Sequence, residues 1–178
     1  WLVCDEVYSM LTFEEKHVSL RKAASELDNV IIIDGLSKSH AMSGWRLGWV
    51  VASKLVTGHL LDFTSSVIFG CCQFVQDAAA FALTNDEEYI NGVREEYRQR
   101  RNYVCERVAN IKGISCDVPK AGMFVMINVS DLGADGLQFA QQLLDEQGVS
   151  VLPGVGFGEC PAGYVRVSLA QPINVIRP

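Results

Sequence analysis

The sequence lacks the marks of several large protein classes. None of its apolar runs reaches the ~18 residues that a membrane-spanning helix needs, and no signal or transit peptide is visible. An excess of positive charge is missing too, since the net charge is −6 and the isoelectric point is near 5.0, which argues against a nucleic-acid partner. The three histidines, His17, His40 and His59, lack metal-ligand spacing. We therefore expect a cytoplasmic protein with no membrane, nucleic-acid or metal partner.

Cysteine motifs are also missing. The six cysteines include no Cys-x-x-Cys spacing, and Cys71 and Cys72 are adjacent, an arrangement that rarely forms a bridge. They are typical of buried free thiols in a reducing compartment. The hydrophobic share of 49% and the charged share of 20% are those of an ordinary globular chain. A length of 178 residues fits one domain or two small ones.

One Gly/Ser-rich loop between two apolar runs holds the most informative residues. Val30–Ile33 does not alternate with polar residues, which predicts a buried strand, and the run 47–52 predicts the next. Lys38 lies between them, where desolvation and a nearby cation would lower the pKa of its amine and favour imine formation. Arg46 is near enough along the chain to face the same pocket. The same residues also fit a surface lysine and a surface arginine stacked on an aromatic ring.

The rest of the chain alternates strands and helices, which predicts parallel pairing with right-handed crossovers. A nearly all-apolar segment predicts a well-buried helix, and a long charged segment predicts a helix with a solvated face. In chain order the predicted strands are 1–4, 30–33, 47–52, 114–118, 123–129, 149–152 and 165–169, and the predicted helices are 20–27, 53–66, 71–83, 87–110 and 136–147.

Four groups of residues form motifs in a fixed order. They are Cys4-Asp-Glu-Val-Tyr8, then Gly35-Leu-Ser-Lys38 with Ala41-Met-Ser-Gly-Trp-Arg46-Leu-Gly-Trp, then Ala121-Gly-Met-Phe124, and last Val151-Leu-Pro-Gly154, Phe157-Gly158 and Tyr164-Val-Arg-Val-Ser-Leu-Ala170. This series resembles the class I and II aminotransferases, which are pyridoxal-phosphate enzymes of fold type I. The resemblance covers nearly the whole chain, and it is to the C-terminal half of such an enzyme.

The resemblance implies an α/β fold. It would be the C-terminal part of the large domain of a pyridoxal-phosphate transferase, a mostly parallel sheet with flanking helices, followed by an α+β small domain. The expected parts are 1–86 in the cofactor-binding large domain, 87–112 as a linking helix and 113–178 as a truncated small domain. The chain starts inside an apolar run and stops without a terminal helix. We therefore expect a fragment of an enzyme that is a homodimer when complete.

The resemblance also implies the contacts of the cofactor, pyridoxal 5′-phosphate. Lys38 would hold it as an imine and move a proton as general acid and base. Asp5 would pair with the protonated pyridine nitrogen, and Tyr8 would donate its hydroxyl to the ring oxygen. Arg46 would neutralise the phosphate, and Ser37 would add a hydroxyl. From the residues alone, Asp5 also fits a helix N-cap, and Tyr8 fits an aromatic residue packed at the base of a loop.

Arg166 is the candidate substrate contact. It interrupts an otherwise apolar strand, and a charge in that setting must be paired or face a cleft. The residues alone also fit a buried structural ion pair. The resemblance implies instead that Arg166 grips the α-carboxylate of the substrate through two parallel hydrogen bonds.

The implied function is pyridoxal-phosphate-dependent transfer of an amino group from an L-amino acid to a 2-oxo acid, weak or inactive in the isolated chain. The alternatives are a lyase or decarboxylase of the same fold type, the cofactor-binding domain of a transcription regulator, and an inactive fragment. Many members of the family carry a serine where this chain has Gly35. Phosphate binding would therefore depend more on Arg46 and on backbone N–H groups. The motifs do not assign the amino donor.

Overall fold

The computed structural model describes residues 1–24, 26–133 and 135–177. The chain divides into two compact units, Trp1–Arg94 and Glu95–Pro178, which we call unit 1 and unit 2. The division falls inside the longest helix, Glu87–Ala109. The large-domain, linking and small-domain roles given to parts of the sequence stay predictions. No helix in the described part of the chain is long and apolar enough to cross a membrane.

Unit 1 contains a three-stranded sheet of β1 (Leu2–Asp5), β2 (Val30–Gly35) and β3 (Gly48–Val51), in that order. β1 and β2 are parallel, as predicted, whereas β2 and β3 are antiparallel. The expectation of parallel pairing is therefore wrong for β3. The connection from β2 to β3 contains only single helical turns. Because a parallel neighbour requires a long crossover, so short a connection brings the next strand back in the opposite direction.

Two glycines face each other where β2 and β3 meet. A Cβ atom on Gly48 would lie 2.8 Å from the backbone oxygen of Asp34, and one on Gly35 would lie 3.1 Å from the Cα of Gly48. Side chains at these positions would push the strands apart. The close approach therefore depends on both glycines, and it fixes the point where the chain leaves β2.

The helices of unit 1 that precede the dividing helix are α1 (Leu20–Ala23), α2 (Leu36–Ser39), α3 (Lys54–Val67) and α4 (Gln73–Thr84). α4 matches the helix predicted over 71–83, but the prediction that it is well buried is wrong. Only Val75 and Ala79 are buried along it, whereas Phe74 and Phe81 are 69% and 70% exposed. An apolar sequence predicts that a helix is buried, but it does not show which elements pack against it. In the described residues only one narrow face of α4 is buried.

Unit 2 packs helices against a second, antiparallel sheet. Its strand order is β4-β6-β5, and its buried core joins one face of that sheet to the dividing helix. The elements are α5 (Glu87–Ala109, which begins in unit 1), β4 (Phe124–Asn128), α6 (Gly136–Gln147), β5 (Leu152–Pro153), β6 (Tyr164–Ser168) and α7 (Ile173–Ile176). The buried core residues are Val104, Cys105, Val108, Val125, Ile127, Val129, Ala140, Val165 and Leu169.

The helix predicted over 136–147 is confirmed at both ends. The Asp135 carboxylate accepts a hydrogen bond from the backbone N–H of Gln138 at 2.8 Å. Gly148 follows the last turn with a left-handed φ of 67°. A carboxylate at the N-cap and a glycine after the last turn are the start and stop signals of a helix, and both residues can be identified from the sequence.

Other predictions for unit 2 are wrong. Residues 114–118 form no strand but a single bridge, between Ser115 and Asn128. In place of the strand predicted over 149–152, the structure has only the two-residue strand β5. An alternating pattern predicts two faces but does not supply a partner strand, and Pro119 cannot donate a ladder hydrogen bond. The tail is expected to have no helix, yet it contains α7.

Burial of the cysteines also differs from the expectation. All six are free, but only Cys105 is buried, so the prediction of buried thiols is confirmed for that residue alone. Burial and the contact with Cys116 raise the pKa of the Cys105 thiol to about 12. The half-buried thiols are Cys4 and Cys116, and the exposed ones are Cys71, Cys72 and Cys160.

Candidate active site

Lys38 lies on a helical turn that directly follows β2. The sequence predicts a loop here, and the structure corrects this to the single-turn helix α2. Leu36 and Ser39 of this turn are buried, while Ser37 and Lys38 are half-buried. The turn therefore fixes its own backbone by packing and leaves the lysine side chain partly accessible. Its place beyond the carboxyl end of a strand is where open α/β sheets collect ligands.

His40 ties the lysine-bearing turn to the start of α5. Its ring is buried and stacks on the Tyr89 ring with centroids 6.0 Å apart. Nδ1 lies 2.9 Å from the Ser39 hydroxyl, and Nε2 lies 3.4 Å from an oxygen of Asp86. That second contact has the distance of an ion pair without the alignment of a hydrogen bond. The sequence alone does not predict this role, because Asp86 and Tyr89 lie far from His40 along the chain.

Asp5 ends β1 at the same edge of the sheet. Its Cα is in register with Ile33 of β2, so Asp5 lies at the end of one strand and Lys38 just beyond the end of its parallel neighbour. The Asp5 side chain is exposed and accepts a hydrogen bond from the Val7 N–H at 3.2 Å. No helix starts in this turn within the described residues, so the alternative of a helix N-cap is wrong. Tyr8, half-buried, follows in the same turn.

Glu6 is a buried carboxyl that sequence analysis left without a role. It accepts a hydrogen bond from the Leu20 N–H at 2.9 Å and lies 3.2 Å from His17 Nε2. Burial acts to raise the pKa of Glu6, but the hydrogen bonds from Leu20, Ser19 and His17 outweigh it and hold the pKa below its usual value. Glu6 is therefore a charged group that secures the segment before β2.

Asp34 is a second carboxyl missed from the sequence. It accepts hydrogen bonds from the Gly35 N–H at 2.7 Å and from the Ser9 hydroxyl at 3.4 Å. Burial raises its pKa, and the negative charges of Glu6 and Asp5 add to the rise against those two hydrogen bonds. Glu6 and Asp34 line one open cavity of ≈ 470 Å³. The same cavity is also lined by Lys16, Lys22 and Arg94, so its charge is mixed. A positively charged group near Asp5 would therefore be favoured mainly by the Asp5 carboxylate itself.

Arg46 closes the loop that begins with Lys38. It follows a short 3₁₀ turn, Ser43–Trp45, that packs against α2. Its guanidinium is exposed and donates to the backbone oxygen of Ser43 at 2.7 Å. Its backbone is left-handed, with φ 52°, and so is that of Ala41, with φ 54°. Two non-glycine residues in this conformation make the loop a strained one.

Arg166 lies on the middle strand of unit 2, half-buried. Its guanidinium carbon is 4.0 Å from the centre of the Phe124 ring and 4.2 Å from that of the Phe157 ring. The buried Nε has no hydrogen-bond partner among the described residues. None of the ion pairs found in the described part of the chain includes Arg166, so the alternative of a structural ion pair is wrong.

The predicted site residues thus fall into two groups. Unit 1 brings Asp5, Ser37, Lys38 and Arg46 to one sheet edge and the loop beyond it, with Tyr8 in the turn after Asp5. Arg166 belongs to unit 2. No group of three or more potential metal ligands occurs in residues 1–24, 26–133 and 135–177.

Comparison with known protein families gives one clear match. The family model described as aminotransferase class I and II matches residues 1–174. Members of this family generally depend on pyridoxal phosphate. The chain is 41% identical to the arginine–pyruvate transaminase of Pseudomonas aeruginosa over 98% of its own length and 45% of that protein. It is 36% identical to an aspartate aminotransferase of Pyrococcus horikoshii, over 96% of this chain and 44% of that one.

Solved structures agree with the sequence matches. The aromatic aminotransferase of Pyrococcus horikoshii superposes with a TM-score of 0.93 at 30% identity, over 98% of this chain and 47% of that one. The aspartate aminotransferase of Thermus thermophilus with maleate gives 0.91 at 30% identity, over 99% and 46%. The predicted α/β fold is confirmed by these neighbours. The chain spans about half the length of the curated relatives it matches.

Proposed function

Because the chain belongs to the class I and II aminotransferase family, we propose that the protein transfers an amino group from an L-amino acid to a 2-oxo acid with pyridoxal 5′-phosphate as cofactor. The observation that carries this proposal is the position of Lys38, on the turn directly beyond β2 and beside the parallel strand that ends in Asp5. Relatives that match over the same stretch are named as transaminases, which supports the reaction class.

The residues of unit 1 fit this cofactor by their chemistry. When bound, pyridoxal phosphate supplies an aldehyde for an amine and a ring that withdraws electrons from the reacting carbon. Lys38 offers the amine on a turn held by buried neighbours. Once its Nζ is free, Lys38 would take the proton from the substrate Cα as general base and deliver it to a different carbon as general acid. A fixed backbone and a long side chain suit an amine that must first bind the cofactor aldehyde and later be released from it to move a proton.

Asp5 and Tyr8 are proposed to act on the ring. The Asp5 carboxylate would keep the ring nitrogen protonated, because a negative charge favours the charged form of its neighbour. Burial is the main cause of the raised pKa of Asp34, and the negative charges of Glu6 and Asp5 add to the rise, so the three carboxyls lie close enough to interact. Tyr8 would donate its hydroxyl to the ring oxygen. A cationic ring nitrogen therefore has a suitable environment in unit 1.

Arg46 and Ser37 are proposed to hold the phosphate. Arg46 offers a guanidinium with one bond to its own loop and further N–H donors available in its fork. Ser37, on the first helical turn after Gly35, would add a hydroxyl and backbone N–H groups. The phosphate group would thus be bound by one charge and by donors of a single loop.

Arg166 is proposed to bind the α-carboxylate of both substrates, and the complete protein is proposed to be a homodimer. The buried Nε, which has no hydrogen-bond partner in the part of the chain that the structure describes, supports the first proposal, since an unpaired buried donor is costly and gains from an anionic acceptor. The similar Thermus thermophilus enzyme has a solved structure with maleate, a dicarboxylate. Carboxylate recognition therefore fits both this chain and a relative.

The test is addition of pyridoxal phosphate to the purified complete protein and to its Lys38→Ala variant. We expect a new absorbance band at the edge of the visible range, absent in Lys38→Ala and retained in the control Lys54→Ala, whose lysine is exposed at the start of α3. Release of a 2-oxo acid from an amino acid, without loss of carbon dioxide, then separates transamination from decarboxylation. A band that survives in Lys38→Ala would overturn the assignment of the lysine.

A further inference from the structure

We propose that Asp86 and Tyr89, at the start of α5, act through His40 as positioning residues for Lys38. They hold the single-turn helix α2 in one orientation and so fix the point from which the lysine side chain extends. The inference rests on the proposed function, because it takes Lys38 as the imine-forming amine. It goes beyond that function by giving a role to three residues outside the proposed cofactor and substrate contacts. All of these residues belong to unit 1.

The turn α2 needs support from outside itself. It contains only four residues, Leu36–Ser39, and its N-cap is Gly35, which has no side chain to cap it. Helices shorter than about 12 residues are marginal on their own in water. The residue after His40, Ala41, has a left-handed backbone, a conformation that persists only where the surrounding structure imposes it. The orientation of Lys38 is therefore set by what packs against this turn.

His40 is the residue that receives this support. It caps the C-terminal end of α2, and its side chain is only 4% exposed. The Tyr89 hydroxyl donates to the His40 backbone oxygen at 3.4 Å, and the two rings stack with an angle of 22° between their planes. An oxygen of Asp86 lies 3.4 Å from Nε2. Because Asp86 and Tyr89 are three residues apart, one face of α5 holds both the backbone and the ring of His40.

The start of α5 is itself fixed in place. The helix is 23 residues long, and the Asp86 backbone oxygen accepts its first hydrogen bond, from the Ile90 N–H at 2.8 Å. The Ile90 side chain is buried, which anchors this end of the helix in unit 1. Asp86 is therefore a fixed point against which the four-residue turn is held.

The negative charge of Asp86 has a part of its own in this contact. Nδ1 of His40 lies 2.9 Å from the Ser39 hydroxyl. With that hydroxyl as the donor, Nε2 carries the hydrogen and faces the Asp86 carboxylate. A charge attracts this hydrogen across 3.4 Å even without the alignment of a hydrogen bond, whereas a neutral amide does so far less. Asp86→Asn therefore loosens the ring while it keeps the shape of residue 86.

A loosened turn should affect the reaction more than substrate binding. Lys38 lies two residues before His40, so a movement of the turn is passed to the lysine. Misplacement of a reacting group by about 1 Å costs up to about 100-fold in rate. For the partial loosening in Asp86→Asn we expect a kcat about 10-fold lower. The KM for the amino acid should stay unchanged, because Arg166, the proposed carboxylate contact, belongs to unit 2.

The experiment compares Asp86→Asn and His40→Phe with the control Glu87→Gln, all in the complete protein. The control removes the same charge from the exposed neighbouring residue, and asparagine is as good an N-cap as aspartate at position 86. Before cofactor is added, hydrogen–deuterium exchange is measured on the peptide 36–42, which contains the hydrogen-bonded N–H groups of the turn. We expect exchange about 10-fold faster in the two test variants and unchanged in the control.

Addition of pyridoxal phosphate gives the second measurement. The absorbance band at the edge of the visible range should form about 10-fold more slowly in Asp86→Asn and in His40→Phe than in Glu87→Gln. The kcat should fall by a similar factor with the KM kept. A merely structural role for Asp86 would lower the amount of folded protein and leave the rate per folded molecule unchanged.

The double variant His40→Phe with Asp86→Asn shows whether Asp86 acts through His40. Phenylalanine keeps a ring beside Tyr89 but has no nitrogen for the carboxylate to attract. The second substitution should therefore cause no further loss, and the two effects should not add. Additive losses in kcat would overturn the proposed action through His40.

Failure of this inference and failure of the proposed function give different results. If the unmodified protein forms the band and transaminates, while Asp86→Asn matches Glu87→Gln in exchange, band formation and kcat, the positioning role is wrong. If exchange of the peptide 36–42 is faster in Asp86→Asn but the unmodified protein forms no band, Asp86 holds the turn and the proposed function is wrong. Should His40→Phe unfold, the comparison of Asp86→Asn with Glu87→Gln decides the matter.

Discussion

Asp5 is the last residue of β1 and Lys38 lies on the turn just beyond β2, the parallel neighbour of β1, with Asp5 in register with Ile33 near the end of β2. The carboxylate is exposed and makes one turn hydrogen bond, to the Val7 N–H, which an asparagine oxygen can also accept. The position of Asp5 therefore serves the site more than it serves folding. A substitution at position 5 can test whether activity is lost while stability is kept.

Asp5→Asn should lower the transamination rate about 100-fold, from the loss of a charge interaction of about 2.7 kcal/mol in the transition state. The urea midpoint of unfolding should stay within error of the unmodified protein, because the turn hydrogen bond is kept. The measurements are steady-state rates at saturating pyridoxal phosphate and equilibrium unfolding. Asp28→Asn, at an exposed position of unit 1, is the control. An equal loss in both variants would contradict a role for Asp5.

His40→Ala should destabilise the protein by about 2 kcal/mol, because it removes a buried ring and its contacts with Ser39, Asp86 and Tyr89. The measurement is the free energy of unfolding in urea. His59→Ala is matched to it, since His59 lies exposed on α3, and should change the free energy by less than about 0.5 kcal/mol. A His40 variant as stable as the His59 variant would show that the ring does not tie the lysine turn to α5.

Two glycine substitutions should act in opposite directions. Gly48→Ala places a Cβ 2.8 Å from the Asp34 backbone oxygen and should lower the melting temperature by separating β2 from β3. Gly58→Ala lies inside α3 with nothing within 4 Å, and should stabilise by up to about 1 kcal/mol because alanine favours a helix. Both are read by thermal unfolding. Equal melting temperatures would mean that the strands do not need the close approach.

Glu6 should make stability fall in acid. Its folded-state pKa lies below the ordinary value of 4.5, so its contribution is fully present above that value and is lost as pH falls through the folded pKa. Glu6→Gln should therefore be less stable than the unmodified protein at neutral pH, and the gap should close below pH 4.5. Unfolding free energies across the acid range measure this. A gap that does not change with pH would exclude the charge as its cause.

Asp34 should behave in the opposite way. Its folded-state pKa lies above the ordinary value of 3.8, because of burial and of the charges on Glu6 and Asp5. Its favourable contribution is present below that value and is lost as pH rises through the folded pKa. Asp34→Asn should thus gain stability relative to the unmodified protein as pH rises to neutrality. The same acid-range unfolding series tests it, and a relative loss at neutral pH would contradict the sign.

The sequence correctly predicted the elements whose bounds depend on residues close to them in the chain. Both ends of α6 are fixed by Asp135 and Gly148 within a few residues of the helix, and the β-branched run before Lys38 forms β2. The direction of β3 follows from the short connection after β2, which the prediction of parallel pairing overlooked. The exposure of α4 depends on what lies beside it in the fold. No local pattern states that, which is why the prediction for α4 failed.

The residues of the candidate site also fall into those that the sequence identifies and those that only the structure shows. Motif residues such as Asp5, Lys38 and Arg46 could be selected from the sequence because their types and spacing match a known family. The contacts of His40 with Asp86 and Tyr89, and that of Arg166 with Phe124, could not, since each joins residues far apart in the chain. A phenylalanine in a predicted strand indicates packing, and only three-dimensional register shows that it stacks on an arginine.

The loop from Lys38 to Arg46 holds two residues, Ala41 and Arg46, in the left-handed conformation that suits glycine. Each such residue carries roughly 1 kcal/mol of conformational energy that the surrounding fold must offset. Selection for heat tolerance should therefore favour glycine at position 41. The same exchange would loosen the loop that aims the lysine, so the most heat-resistant versions of this loop should be among the slower catalysts.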